Sequence, residues 1–165
     1  MKSAIFQPLQ LLELELHHRT NRQLQRISNA QLQYTFQNIQ YNPAKNCIAI
    51  FIAEVLYKTL KEEEANYELF SFLIHTIQAL DLNNIGTANF HIAFLMQYSR
   101  YLGFYLKHEN ILSEVLEMSF DNLNNIALNK SQRNAITEYL LGRYSIYIEN
   151  FGTMKSFSVL QNVFA

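Results

Sequence analysis

The sequence predicts a mainly α-helical protein, with about five or six helices preceded by two or three β-strands. Three observations point there. Four Gly and two Pro in 165 residues leave little material for tight hairpins. Apolar residues recur at three- and four-residue spacing from residue 42 onward. A two-residue alternation is confined to the stretch before it.

Residues 9–18 read as a strand, because Leu12, Leu14 and Leu16 alternate with Glu13, Glu15 and His17. Arg19-Thr20-Asn21-Arg22 forms a polar turn, and residues 23–34 return as one or two strands with Leu24, Ile27, Leu32 and Tyr34 buried. So few strands need to pack on the rest of the chain or on a partner. Asn42 is placed to cap a first helix with Pro43 at its first position, and Cys47, Ile48, Phe51, Ile52, Val55, Leu56 and Leu60 form its apolar face, ending near Glu64. A second helix covers residues 66–81, Gly86 separates it from a third over 87–102, and Gly103 stops that one. A short helix is expected at Ile111–Met118. Ser131 then caps a long helix to about Glu149, Phe151-Gly152 turns the chain, and Lys155 or Ser156 starts a final helix to Phe164.

Composition excludes several classes of function. One Cys allows neither an intrachain disulfide nor a four-Cys zinc site, which suits a reducing, cytoplasmic setting. No two of His17, His18, His75, His91, His108 and Cys47 stand three or four residues apart, so no helical metal pair forms. The longest apolar run, Ile48–Ile52, ends within a few residues at Glu54, far short of the ~18 residues of a membrane span, and Met1-Lys2-Ser3-Ala4-Ile5 carries no secretory signature. Glu62-Glu63-Glu64 reads as a solvated corner, and Glu114 with Glu117 as surface charge. Without a nucleophile, base or metal constellation, no enzyme, cofactor or metal site is expected.

The formal net charge of −1 hides a split. Residues 1–61 carry seven Lys/Arg against three Asp/Glu, whereas residues 62–165 carry six against eleven. Arg19, Arg22 and Arg26, with Thr20, Asn21 and Gln25, are donors suited to a phosphate backbone, or else simply an exposed polar turn. Two aromatic clusters surround cations: Tyr98, Tyr101, Phe104 and Tyr105 about Arg100, and Tyr139, Tyr144 and Tyr147 about Arg143. Such stripes are core, or they build peptide-binding pockets.

Five segments extend this reading. They are Phe6-Gln7-Pro8-Leu9-Gln10-Leu11-Leu12-Glu13-Leu14-Glu15, Leu60-Lys61-Glu62-Glu63-Glu64, Asn89-Phe90-His91, Ser99-Arg100-Tyr101-Leu102-Gly103-Phe104-Tyr105, and Phe151-Gly152-Thr153-Met154-Lys155-Ser156 continuing through Val159-Leu160 and Val163-Phe164. In this order and over nearly the whole chain, they resemble the RecO family of bacterial recombination mediators, in its branch without zinc cysteines. The resemblance implies a non-enzymatic DNA repair protein with an N-terminal OB-fold and a following helical domain. It implies binding of single- and double-stranded DNA, strand annealing, and work with RecR to load RecA onto DNA coated by the single-strand binding protein SSB, whose C-terminal tail some members hold.

Under this resemblance, residues 1–36 are the last strands of an incomplete OB-fold and residues 42–165 the helical domain. The first strand then falls late in the OB-fold, so the chain begins after about three strands of it. Two positions depart from the family: residues 104–131 contain no Cys, and Leu106 stands where the related branch tends to have Pro. DNA is expected at Arg19, Arg22, Arg26, Lys45 and Lys155, and the SSB tail at Arg100, Tyr101, Arg143 and Tyr144. The alternative is a helical protein-interaction module that does not bind DNA, taking a peptide or partner helix.

Overall fold

The computed structural model describes residues 5–22, 24–61, 65–83, 86–104, 120 and 127–164. They form one antiparallel hairpin, β1 (Leu12–His17) and β2 (Arg26–Leu32), followed by helices α1 (Pro43–Thr59), α2 (Tyr67–Leu82), α3 (Phe90–Tyr101), α4 (Lys130–Tyr147) and α5 (Lys155–Val163). A 3₁₀ turn at Thr87–Asn89 leads into α3. The mainly helical class read from the sequence is the class observed. The expected short helix at Ile111–Met118 and the Glu62–Glu64 corner lie outside the described residues.

In the hairpin, Leu12 faces Leu32, Leu14 faces Ala30 and Leu16 faces Ile27. Directly opposed residues share a sheet face, so the alternation produces one apolar face. The register shifts between Glu15 and Leu16, and Ser28 satisfies the bulge by donating its hydroxyl to Glu15 O at 3.0 Å. Residues 23–34 yield one strand, not two. Leu24, expected in the interior, is 89% exposed.

Helix starts follow local chemistry. Asn42 Oδ1 accepts from the N–H groups of Ala44 and Lys45, with Pro43 at the first helical position, and Asn66 Oδ1 accepts from Leu69 N. For α4 the cap is Asn129 instead of Ser131. Its side chain accepts from Gln132 N while Gln132 Oε1 accepts from Asn129 N, a reciprocal box that outcompetes the serine two residues later. Gly103, at φ +80°, ends α3 in the left-handed conformation as its position predicts.

Helix α1 stops at Thr59, short of Glu64, although Lys61-Glu62-Glu63-Glu64 favours continuation. Tertiary bonds redirect it: Lys58 Nζ donates to Phe151 O at 2.7 Å and Lys61 Nζ to Glu149 O at 2.9 Å, pinning the chain to the carbonyls beyond α4.

Helix α1 packs against α2, α3 and α5, and α3 also packs on α4. Phe90, Ile92, Ala93, Phe94, Leu95, Met96 and Tyr98 are all buried, so α3 is enclosed on every side over its first two turns and forms the centre of the bundle. Ile48, Phe51, Ile52 and Val55 of α1, Leu80 of α2, Leu140 and Tyr144 of α4 and Leu160 of α5 close around it. Phe36 and Ile39, just after the hairpin, join this core. The hairpin is thereby carried on the helical body.

Candidate nucleic-acid interface

One side chain organises the turn between β1 and β2. Gln25 Oε1 accepts from Arg19 N at 2.7 Å, and its Nε2 donates to Arg19 O at 3.0 Å and Arg22 O at 2.6 Å. Arg22 N also donates to Arg19 O at 3.2 Å. With both ends of the amide committed to backbone, the turn has a defined shape. Arg19, Arg22 and Arg26 all stand exposed on it.

Those arginines line a recess of about 540 Å³ together with Leu16, His17, His18, Leu24 and Gln25. Among the described residues, no acidic side chain lines it. The hairpin's carboxylates, Glu13 and Glu15, sit further down β1, where Gln31 Nε2 donates to Glu13 Oε2 at 2.8 Å. Opposite charges are therefore segregated along the ribbon, with a cationic end suited to phosphate.

The other two cations expected at DNA fare differently. Lys45 is 1% exposed, and its Nζ donates to Asp81 O at 2.6 Å. Burial pushes its ammonium below the ordinary lysine value, with the Asp81 charge opposing that shift. It cannot reach a phosphate, because capping α1 with Asn42 turns this residue inward. Lys155 is exposed at the start of α5. Its N–H bonds Glu54 on α1, about 18 Å along the helix from Asn42 at 1.5 Å per residue, so it lies apart from the α1 end that adjoins the hairpin.

The two aromatic clusters also separate. Tyr144 is fully buried and donates its hydroxyl to Leu95 O at 2.7 Å, a bond joining α4 to α3. Burial raises its hydroxyl well above the ordinary tyrosine value. It belongs to the core: local clustering brought Tyr139, Tyr144 and Tyr147 near Arg143 in sequence, but which of them faces inward is set by packing against α3. Arg143 donates to the Tyr147 hydroxyl at 2.9 Å and lies over that ring at 5.2 Å. Tyr101, 38% exposed, stacks on Phe72 at 4.7 Å between centroids. These two rings, with Tyr67, Glu68, Ser71 and His75, line a recess of about 550 Å³; Arg100, which precedes Tyr101 on α3, is exposed but is not among the lining residues.

Gln25, read from the sequence as a donor to phosphate, spends its amide on the Arg19 and Arg22 backbone instead, because the turn brings it beneath them. Sequence reasoning missed one element of this arrangement, Asp81. Asp81 had a signal: a carboxylate in the last turn of a helix opposes the helix dipole and needs donors from elsewhere. They come from the N–H groups of Gln37, Asn38 and Ile39.

The fold and site together define a mainly helical protein bearing an exposed, cationic β-hairpin. The family model described as "Recombination protein O C terminal" matches residues 40–110. The DNA repair protein RecO of Bacteroides fragilis is 31% identical over 196 positions, covering 99% of this chain and 81% of that protein. RecO of Flavobacterium psychrophilum is 32% identical, covering 99% and 80%, and RecO of Phocaeicola vulgatus 30%, covering 100% and 81%. This chain belongs to the RecO family of DNA repair proteins. Because the 196-position match to the Bacteroides protein holds at most the 165 residues of this chain, that relative carries at least 31 residues within the span that are absent here. No solved structure matches the chain. No helix among the described residues is long and apolar enough to cross a membrane.

Proposed function

We propose that this protein is a non-catalytic recombination mediator in the cytoplasm, binding single- and double-stranded DNA, annealing strands, and acting with RecR to load RecA onto SSB-coated DNA. Residues 1–36 serve as OB-fold strands and residues 42–165 as the helical domain. The observation that carries this reading is the set of exposed arginines, Arg19, Arg22 and Arg26, on a turn held by Gln25, with no carboxylate among the described residues that line the recess. Lys155, apart from the hairpin end of α1, is a further expected phosphate contact beyond the three arginines of the turn. Three phosphate contacts give a salt slope of about −2.7 on duplex and about −2 on single strands. Changing all three arginines to Ala should weaken oligonucleotide binding and flatten that slope. Unchanged affinity and slope in the triple variant would remove the DNA assignment.

A second reading, peptide capture by the helical body, is favoured by the aromatic recess at Tyr101 and Phe72, with Arg100 the preceding residue on α3. An aromatic-ended acidic tail such as that of SSB needs an apolar slot and a cation. Titration with the tail peptide tests it. Saturable binding lost in Tyr101→Ala supports the site, whereas no binding at millimolar peptide excludes it.

A further inference from the structure

We propose that the outward face of α4 is a self-association seam, on which a second copy of this chain docks its own α4 in the antiparallel sense. Ala135, Tyr139, Gly142 and Ile146 follow one another at spacings of four, three and four residues, the repeat of a seam between two helices. All four are exposed, Tyr139 at 41% and Ile146 at 70%. They lie opposite the buried Thr137, Leu140 and Tyr144 that hold α4 to the core.

Gly142 points beyond the single chain. Glycine weakens a helix interior, and a Cβ at this position would meet nothing within 4 Å among the described residues. Packing within the chain therefore gives no reason for a residue without a side chain here. A helix laid across this face does, because the glycine leaves a notch beside Tyr139.

The occupant follows from the order of sizes and charges along the seam. Small and large residues alternate, Ala135 and Gly142 against Tyr139 and Ile146. A twofold antiparallel pair seats Tyr139 on the partner's Gly142 and Ile146 on the partner's Ala135, and makes each contact twice. It also brings Lys130, exposed at the start of α4, toward the partner's Glu149, exposed just past its end, and opposes the two helix dipoles. A parallel pair would stack tyrosine on tyrosine, leave a void between the glycines and set like charges together at both ends. The face complements itself in one orientation.

Such a short seam falls below the roughly 1,200 Å² of a stable interface, so the pair is transient, forming at about 10–100 μM. Its consequence rests on the DNA-binding reading. One chain presents one cationic turn, a pair presents two, and annealing requires two strands held together. Chains bound along one strand are concentrated near each other, which favours pairing.

The test measures sedimentation equilibrium of the full chain without DNA, up to high micromolar concentration. A monomer–dimer equilibrium is expected, weakened about tenfold or more by Gly142→Arg. That substitution places its side chain in open space and improves helix propensity, so the fold is kept. The variant with Arg19, Arg22 and Arg26 changed to Ala should dimerise as the unaltered chain does, which separates this proposal from DNA binding. In a Cys47→Ser background with a mild oxidant, Tyr139→Cys and Gly142→Cys chains should cross-link when mixed, faster than either alone. Gly142→Arg should also keep single-strand affinity and slow annealing. A monomer at every concentration, an unchanged dimer in Gly142→Arg, or Gly142→Cys cross-linking fastest to itself overturns the proposal, and annealing at full rate by Gly142→Arg overturns its role in annealing.

Discussion

The hydroxyl of Tyr34 donates to Oδ2 of Asp81 at 2.9 Å, tying the chain that leaves β2 to the last turn of α2. The same carboxylate accepts from Gln37, Asn38 and Ile39 N at 2.8 to 2.9 Å, while Lys45 Nζ holds the Asp81 carbonyl. Gln10 Nε2 in turn donates to Tyr34 O. The base of the hairpin is thereby bolted to the helical body, and the arginines at its tip are carried by a supported lever. Position, as much as charge, comes from this junction.

Asp81→Ala should lower stability to urea by about 3 kcal/mol, because it strands three backbone donors and the Tyr34 hydroxyl at a buried site. Burial alone would raise the Asp81 carboxyl, yet the backbone and Tyr34 hydrogen bonds outweigh it and hold the group below its ordinary value. The native state then binds fewer protons than the unfolded chain. The stabilisation is complete above about pH 4 and is lost as pH falls through the lowered folded value. Acid unfolding curves from pH 5 to 2 should be shallower for Asp81→Ala. Parallel curves would contradict this account.

His91 produces a pH dependence nearer neutrality. It is buried, and its Nε2–H donates to Thr137 Oγ1 at 3.0 Å, because the Thr137 proton is already given to Arg133 O at 2.8 Å. Nδ1 has no partner among the described residues. Burial, assisted by the Arg133 charge, pushes this histidine down to about 3. A depressed folded value means stability is full above about pH 6.5 and declines toward pH 3, by about 2 kcal/mol between pH 7 and 5 from this group. Urea midpoints of His91→Gln over that interval should show a flatter dependence, whatever its starting stability.

Glu54 caps α5 from a distance, since Met154 offers no capping side chain. Its two oxygens accept from Lys155 N at 2.9 Å and Ser156 N at 2.8 Å, with the Ser156 hydroxyl alongside. Glu54→Ala should cost about 1 to 2 kcal/mol and increase amide exchange selectively in the first turn of α5. Uniform exchange along the chain would count against a local cap.

Lys45→Met distinguishes a buried cation from a phosphate contact. It should alter stability and leave the salt slope for DNA unchanged, whereas each arginine of the turn changed to Ala should flatten the slope by a little under one. A flattened slope in Lys45→Met would return that residue to the interface.

Tyr144→Phe removes one hydroxyl bond between α4 and α3, at about 1 kcal/mol. Binding of an acidic tail peptide should not change. Loss of peptide binding at unchanged stability would place Tyr144 in a site instead of the core.

Local signals carried much of the fold into the sequence. The Leu12-Leu14-Leu16 alternation, Asn42 before Pro43, and Gly103 after α3 each act within a few residues, so their consequences can be read without knowing what lies across the molecule. Where a distant partner competes, the same reasoning fails. Helix α1 ends early because Lys58 and Lys61 find carbonyls beyond α4, and Leu24 is exposed because Gln25 folds the turn beneath the arginines instead of extending β2.

The sequence by itself determined the helical class, the hairpin, the basic turn and the resemblance to RecO, all properties of periodicity, composition and ordered short segments. Only the tertiary structure decided which charges reach solvent. Lys45 and Arg19 are equivalent cations on paper, yet one donates to a carbonyl at the end of α2 and the other stands on an exposed turn. That difference arises because burial is a property of packed surfaces, and packing joins residues that the chain keeps far apart.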